Sequence, residues 1–423
     1  VTQTPTVPVD GTAAPADLQD ERLIRPTGVQ ENVVAMIKRV RTGDLGSLPV
    51  VIGLVIIFVI FQVLNPAFLG PQNLSDLISG AAAVGVTAIG IVLVLLLGQI
   101  DLSVGSMAGV SSAMFGILLT QAKFPEWLIV IVALAAGAAV GLIYGLLFVR
   151  FGVPSFVITL AGLLTLLGVQ LFILGASGTV NIPFTSALVK FSLLDYVAPW
   201  LAYTLVIVAA GGYLVTALTS SRARAKAGLS APGTTGIVVK AALLLVLLGG
   251  IIAYLNTGGD TAGVGDAFVM FVILVVIMHY ALTRTRWGRS VFAVGGNVEA
   301  ARRAGIRVNR VYISVFVLCS MFAAIGGMLY AGHLGSAGLD SGSGDFNLDA
   351  IAAAVIGGTS LFGGRGSAWS ALLGIIVIWS ISSGLQLLSL SSSVRYMITG
   401  AVLLLAVTVD SLSRRSRASH GRA

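Results

Sequence analysis

The sequence predicts an all-α polytopic membrane protein of about 12 transmembrane helices (roughly 10–14), some broken or re-entrant, with both termini cytoplasmic. Three observations carry this. Of 423 residues, 57% are hydrophobic and 10% charged, where an ordinary soluble domain carries about 25% charged residues. The apolar residues fall into runs close to the ~20 residues that cross a ~30 Å hydrocarbon layer. The basic residues sit between those runs on one side. Composition therefore argues for one integral unit rather than several globular domains.

Residues 1–47 are polar and hold Pro5, Pro8, Pro15 and Pro26. They read as a largely disordered cytoplasmic tail, with a short helix near Glu31–Arg41. The first apolar run begins near Leu48, too late and without the cleavage pattern of a secretory signal. Spans are expected at 48–64, 76–97, 104–120, 127–149, 155–175, 200–218, 237–255, 267–283, 311–332, 345–360, 368–388 and 394–410. The runs at 104–120 and 345–360 are short and adjoin glycine-rich breaks. The membrane body is thus 48–410, followed by a basic cytoplasmic tail at 411–423.

Charge sets the orientation. With an inside N-terminus and a crossing at every run, all 25 basic residues except Lys123, Lys190, Lys240 and Arg395 face the cytoplasm. Glu126, Asp195, Asp260, Asp266, Asp340 and Asp345 then fall outside. The net charge of +8 follows from this positive-inside bias, so nucleic acid is not an expected partner; the lipid bilayer is. Cys319, the single cysteine, lies in an apolar run and cannot pair within the chain. It reads as a small hydrophobe.

Glycine numbers 52. Runs such as Ala133–Gly145 and Ala323–Gly327 predict tight helix seams, because small residues let backbones approach. The nine residues 97–105 can be laid on 356–364, matching Gly98 with Gly357, Leu102 with Leu361 and Gly105 with Gly364. Matched glycine breaks in two halves point to a transport path; chance similarity in a glycine-rich chain is the alternative.

Acids within a membrane are costly and mark candidate sites. Asp101 lies in GQIDLSVGS, between two spans. Asp101 or Ser103 can cap the helix that follows, or the break can line a path in which Gln99 and Asp101 orient a polar solute. Thr159, Thr165, Gln170 and Asn181 are uncharged hydrogen-bonding groups on or beside the next span but one. They suit sugar hydroxyls, although a threonine in a membrane helix commonly bonds its own backbone. The substrate-path candidates are Gln99, Asp101, Ser103, Thr159, Gln170 and Asn181. His279 and His333 have no partner at metal-ligand spacing, so no metal is expected. No Ser/His/Asp set is readable, and there is no G-x-x-x-x-G-K-[ST]; GTSLFGGRG lacks the lysine. The chain is expected to be no enzyme and to bind no cofactor itself.

The remaining long polar stretch, 284–310, carries seven arginines. Gly295-Gly296-Asn297 reads as a break. Asn297 can cap a short helix over Val298–Ala304, stopped by Gly305, with Glu299 in its first turn and Arg302 and Arg303 in its last as the helix dipole favours. The apolar side (Val298, Ala300, Ala301, Ala304) is too small for deep lipid insertion. A helix docking on a soluble partner is the expectation; a plain headgroup-contacting helix is the alternative.

GQIDLSVGS at 98–106, VPSFVITLAG at 153–162, WGRSVFAVGGNVEAARRAGIRV at 287–308 and LDAIAAAVIGGTSLFGGRGS at 348–367 together resemble the permease subunits of ATP-binding-cassette importers for ribose, xylose, arabinose and galactosides. With the span pattern, the resemblance covers roughly residues 50–410. It implies a second permease copy in a homodimer, an ATPase subunit carrying ATP and Mg, an extracytoplasmic sugar-binding protein, and a monosaccharide substrate. It implies a bacterial inner-membrane location. The coupling segment it implies comprises Gly295, Gly296, Asn297, Glu299, Ala300, Arg302, Gly305 and Ile306. The longer 199–265 region looks like the xylose-type members, which makes xylose the leading substrate and ribose, arabinose or galactose the alternatives. Gln99 stands where the family usually has glycine. An ion-coupled carrier or a membrane scaffold are the rival classes.

Overall fold

Every apolar run expected between 48 and 388 is a helix. The computed structural model describes residues 48–342 and 344–391, with isolated positions from 393 to 408. The tails expected at 1–47 and 411–423, and most of the span expected at 394–410, lie outside the described residues. In chain order the helices are α1 (Leu48–Leu64), α2 (Pro71–Leu96), α3 (Val104–Thr120), α4 (Glu126–Phe151), α5 (Ser155–Leu174), α6 (Pro199–Lys226), α7 (Thr234–Leu255), α8 (Asp266–Arg284), α9 (Arg286–Gly296), α10 (Val298–Arg303), α11 (Val308–Leu334), α12 (Asp345–Ile356) and α13 (Trp369–Leu387). Two three-residue strands, β1 (Thr179–Asn181) and β2 (Ser336–Gly338), pair antiparallel with Val180 opposite Ala337. Among the described residues, eight helices are long and apolar enough to cross a membrane: α2, α4, α5, α6, α7, α8, α11 and α13. α1 and α3 are shorter apolar helices.

The ends of these helices follow local chemistry. Pro71 occupies the first turn of α2, where its missing N–H costs nothing. α4 stops at Gly152, whose φ of 66° is left-handed; Pro154 then keeps the chain extended before α5.

α2 is apolar all round and becomes the centre of the bundle. From Gly80 to Leu97 every residue is buried. Its neighbours reach it through small residues. A Cβ on Gly90 would stand 2.9 Å from the Cys319 carbonyl of α11, and one on Gly85 would meet the Phe271 ring of α8. The two seams expected from the sequence both form on α11. Gly137, Gly141 and Gly145 of α4 lie on its backbone at Ser320, Phe316 and Ile313, and Gly326 meets Ala83 and Thr87 of α2. Such contacts replace the hydrophobic drive that lipid does not supply. α8 turns one stripe inward: Ala267, Phe271, Val275, Met278 and Leu282.

The stretch expected to span at 345–360 is shorter than predicted. α12 ends at Ile356 and is about 18 Å long, well short of the ~30 Å that a crossing needs. Gly357 and Gly358 terminate it, and Gly358 takes a φ of 100°. Before it, residues 335–342 are turns apart from the short strand β2.

Ala198–Ala253 forms a compact unit of its own. It holds α6 and most of α7, joined by a turn in which Ser221 donates to the Pro232 carbonyl at 2.8 Å. Both helices expose apolar side chains along much of their length, including Ile207, Val208, Val246 and Leu247. This is the region whose length distinguished the sequence.

Candidate functional site

The break between α2 and α3 is set up by backbone geometry. Gln99 N donates to Val94 O at 3.1 Å and Gly98 N to Leu95 O at 2.8 Å. That crossed pair, with Gly98 at a φ of 68°, is a Schellman stop. α12 ends the same way: Thr359 N donates to Ala354 O and Gly358 N to Val355 O. The two breaks therefore share a fold, with Gly98 corresponding to Gly358. The sequence register, Gly98 on Gly357, is off by one residue, because a left-handed position rather than residue identity defines the match.

Asp101 is buried, 1% exposed. Its Oδ1 accepts both the Ser103 N–H (2.8 Å) and the Ser103 hydroxyl (2.7 Å). Its Oδ2 lies 3.7 Å from Cys319 Sγ, which donates. Neither Asp101 nor Ser103 caps α3 by a side-chain bond, contrary to the capping expectation. Asp101 instead closes a two-residue turn on itself, a local pattern open to short acids. The free amide at the start of α3 is met from elsewhere: Gly105 N reaches Asn347 Oδ1 of α12 at 3.4 Å. Asn347 Nδ2 donates to Leu102 O at 3.0 Å.

α5 holds the other side of the break. Leu102 N donates to Thr159 Oγ1 at 3.2 Å, and Ile100 N to Ser155 Oγ at 3.4 Å. Three turns along α5, Gln170 is 1% exposed. Its Nε2 lies 2.9, 3.3 and 3.0 Å from the carbonyls of Gly338, Leu339 and Ser341. Thr165 bonds its own helix at Ala161 O. Asn181 is exposed on β1, and Gln99 is half-buried with its amide toward Leu97 O at 3.4 Å. Of the six path candidates, the structure brings Asp101, Ser103 and Thr159 together at the break, with Gln170 on the same helix as Thr159. Gln99 lies at the break's surface and Asn181 stands apart. Ser155, Asn347, Cys319 and Tyr144 join them unforeseen. The Tyr144 hydroxyl is buried without a partner and faces Gly162. Two apolar grooves, one on α1 and one between α6 and α7, are lined by none of these residues.

The 284–310 stretch is two helices with one joint. Thr285 caps α9 by accepting from Gly288 N at 3.1 Å. α9 buries Gly288, Val291 and Val294, and Trp287 Nε1 donates to Ser314 Oγ of α11 at 2.8 Å. α9 runs through Gly295 and Gly296, so the break lies at Asn297 alone, whose backbone is extended. Asn297 Oδ1 accepts from Ala300 N at 2.9 Å, capping α10 as expected. Gly305 follows α10 with a φ of 80°. Glu299 and Arg302 pair at 3.0 Å on the exposed side. All seven arginines are exposed.

The C-terminal end of α9 meets the break. Gly364 N donates to Leu96 O at 2.9 Å. A Cβ on Gly295 would overlap Leu96 O and stand 2.9 Å from Gly364 N. A Cβ on Gly363 would stand 2.8 Å from Gly295 O and 2.9 Å from Gly98 N. Three segments distant in sequence thus touch backbone to backbone, with nothing compressible between them. The C-terminal end of α9 therefore contacts Leu96–Gly98 directly, without an intervening side chain.

A family model described as branched-chain amino acid transport system / permease component matches residues 73–407. The chain is 36% identical over 352 residues to the xylose transport system permease protein of Escherichia coli (strain K12), covering 82% of this chain and 87% of that protein. It is 30% identical over 365 residues to the xylose transport system permease protein of Haemophilus influenzae, covering 86% and 96%. It is 30% identical over 359 residues to the ribose import permease protein of Escherichia coli (strain K12), covering 85% and 92%. No solved structure matches the chain.

Proposed function

Because the chain belongs to the branched-chain amino acid transport system permease family, we propose that it is the membrane permease of an ATP-binding-cassette importer carrying a pentose, xylose, into the cytoplasm. The higher identity to the Escherichia coli xylose protein than to its ribose counterpart favours xylose. The protein is a multi-pass component of the bacterial inner membrane. It works as a homodimer of about 12-span subunits with cytoplasmic termini, as the charge distribution supports. An extracytoplasmic binding protein delivers the sugar, and a separate ATPase subunit binds ATP and Mg.

The observation that carries the mechanism is the junction of Gly295, Leu96 and Gly364. α10, capped by Asn297 and ended by Gly305, docks on the ATPase subunit with Glu299, Ala300 and Arg302 exposed. Closure of the ATPase pair moves α10 and the helix α9 joined to it. The backbone contact passes the displacement to the Leu96–Ser103 break. The break then shifts against Thr159 and Asn347, which hold it on two sides, and the path opens alternately to each face.

The test uses this chain with its ATPase and binding protein in proteoliposomes. Xylose is expected to stimulate ATP hydrolysis, and uptake is expected to persist when the membrane potential is collapsed but stop when ATP is depleted. Uptake that instead follows the potential and ignores ATP would make the chain an ion-coupled carrier.

A further inference from the structure

We propose that the non-helical segment 336–342 is a gate over the sugar path, and that Gln170 with the carbonyls of Gly338, Leu339 and Ser341 forms the subsite that takes pentose hydroxyls when the gate lifts. This rests on reading the chain as a pentose permease.

The segment lies along α3 from Ala337 beside Gly116 to Gly342 on Gly105, with the Ser341 carbonyl on Gly109 between them. Gly105 to Gly116 is about 16 Å of helix, roughly half of a ~30 Å hydrocarbon layer. Irregular backbone at such depth survives only where protein buries it or where it lines a water-filled path. Here burial is maintained by glycine: a Cβ on Gly109 would overlap Gln170 Oε1, and one on Gly105 would overlap Gly342 O.

Donors and acceptors are mismatched between Gln170 and the segment. A carboxamide has two N–H groups, yet Gln170 Nε2 serves three carbonyls. Gln170 Oε1 is buried and accepts nothing; Ser112 Oγ, three residues along α3 from Gly109, is also buried without a partner. A sugar hydroxyl is both donor and acceptor. Placed between Gln170 and the segment, it can accept from Nε2 and donate to Oε1 or to a released carbonyl. The contacts are neutral dipoles, matched to an uncharged polyol.

The segment can move, and its movement is felt below. Gly335, Gly342 and Gly344 have φ values of 63°, 79° and 55°, which leaves three left-handed pivots within ten residues. In the chain the segment is followed by α12, whose Asn347 grips Leu102 O and Gly105 N at the break. Lifting the gate therefore pulls on the break that the opposite junction also moves.

The test places Ser341→Cys in the complete importer and measures labelling by a membrane-impermeant maleimide. The unaltered chain is the blank, since Cys319 is fully buried. Labelling is expected to be at least tenfold faster in one nucleotide state of the ATPase than in the other, and xylose supplied with its binding protein is expected to slow the faster rate. Adding Gln170→Leu is expected to give fast labelling in both states and to abolish protection by xylose. Equal labelling in both states, or a faster rate that xylose leaves unchanged, overturns the gate even if Gln170→Leu fails to fold. A double variant that behaves like Ser341→Cys alone overturns the role of Gln170. If the unaltered complex takes up xylose while these readouts fail, only the gate falls; if it takes up no pentose, the permease reading falls with it.

Discussion

Replacing Gly295 with alanine tests the coupling junction with one methyl group. A Cβ there would overlap the Leu96 carbonyl oxygen, so α9 must withdraw by roughly 1.5 Å to restore ordinary contact. Overpacking a closed interface costs about 1–3 kcal/mol. Separating Gly364 N from Leu96 O, now 2.9 Å apart, removes about 1 kcal/mol more. Alanine's better helix propensity within α9 returns about 1 kcal/mol. The net is roughly 1–3 kcal/mol against the closed junction, a 5- to 150-fold shift in a coupled equilibrium. In proteoliposomes, xylose uptake is expected to fall at least ~5-fold, while the ATPase subunit still binds and hydrolyses ATP without responding to sugar. Gly168→Ala on α5, where a Cβ meets nothing within 4 Å, controls for insertion and is expected to leave expression and Tm unchanged or raised. Wild-type uptake together with wild-type sugar stimulation in Gly295→Ala would refute transmission through this contact.

Other outcomes follow from the same geometry. Asp101→Asn keeps an oxygen acceptor for Ser103 and is expected to retain most uptake, whereas Asp101→Ala orphans a buried N–H at about 1–3 kcal/mol and should lower Tm. Loss of all uptake in the asparagine variant with folding intact would mean the charge itself is used. Glu299→Gln removes an exposed pair that contributes at most about 1 kcal/mol. Its Tm should not move, and weaker co-purification with the ATPase subunit is the expected effect; unchanged co-purification and uptake would remove Glu299 from the docking surface. Gly305→Ala forces a left-handed alanine at about 1–2 kcal/mol, although its Cβ has open space, and should reduce sugar-stimulated hydrolysis. Asn347→Ala frees both Leu102 O and Gly105 N, and should impair uptake more than ATPase binding; equal loss of both would indicate general misfolding.

Much of this architecture is legible because its causes are local. Apolar runs of membrane length became helices, and the short helix after Asn297 needed only a cap, an acid in its first turn and a glycine at its end. The length of α12 was legible only in part: the run was expected to reach residue 360, whereas the Gly357-Gly358 pair, with Gly358 left-handed, stops the helix at Ile356. The site was harder still. Leu96, Gly295 and Gly364 meet through backbone atoms, so the sequence mark of their contact is the lack of a side chain, and a chain with 52 glycines offers many such marks. Asn347 had a signal, a lone amide at the start of a small-residue helix, but nothing local says that its partners lie at Leu102 and Gly105. Gln170 was found as a polar group in an apolar span; its three carbonyl partners belong to a segment that hydropathy reads as a plain loop.

The buried carboxylate decides how the path can be driven. A carboxylate that carries an ion must exchange partners with water or with that ion. Asp101 is closed off: Ser103 occupies Oδ1 twice, Cys319 faces Oδ2, and the break is clasped by Thr159 and Asn347. These bonds tie Asp101 into the break, and under the proposed mechanism Leu96–Ser103 acts as a stiff link rather than a relay. A stiff link is useful only if something pushes it. α9 abuts it at Gly295, and α12 grips it through Asn347, which follows the 336–342 segment in the chain. Under the proposed mechanism a push at one end is felt at the other, so the two openings of the path exclude each other, with the energy entering from the ATPase subunit proposed to seat on α10.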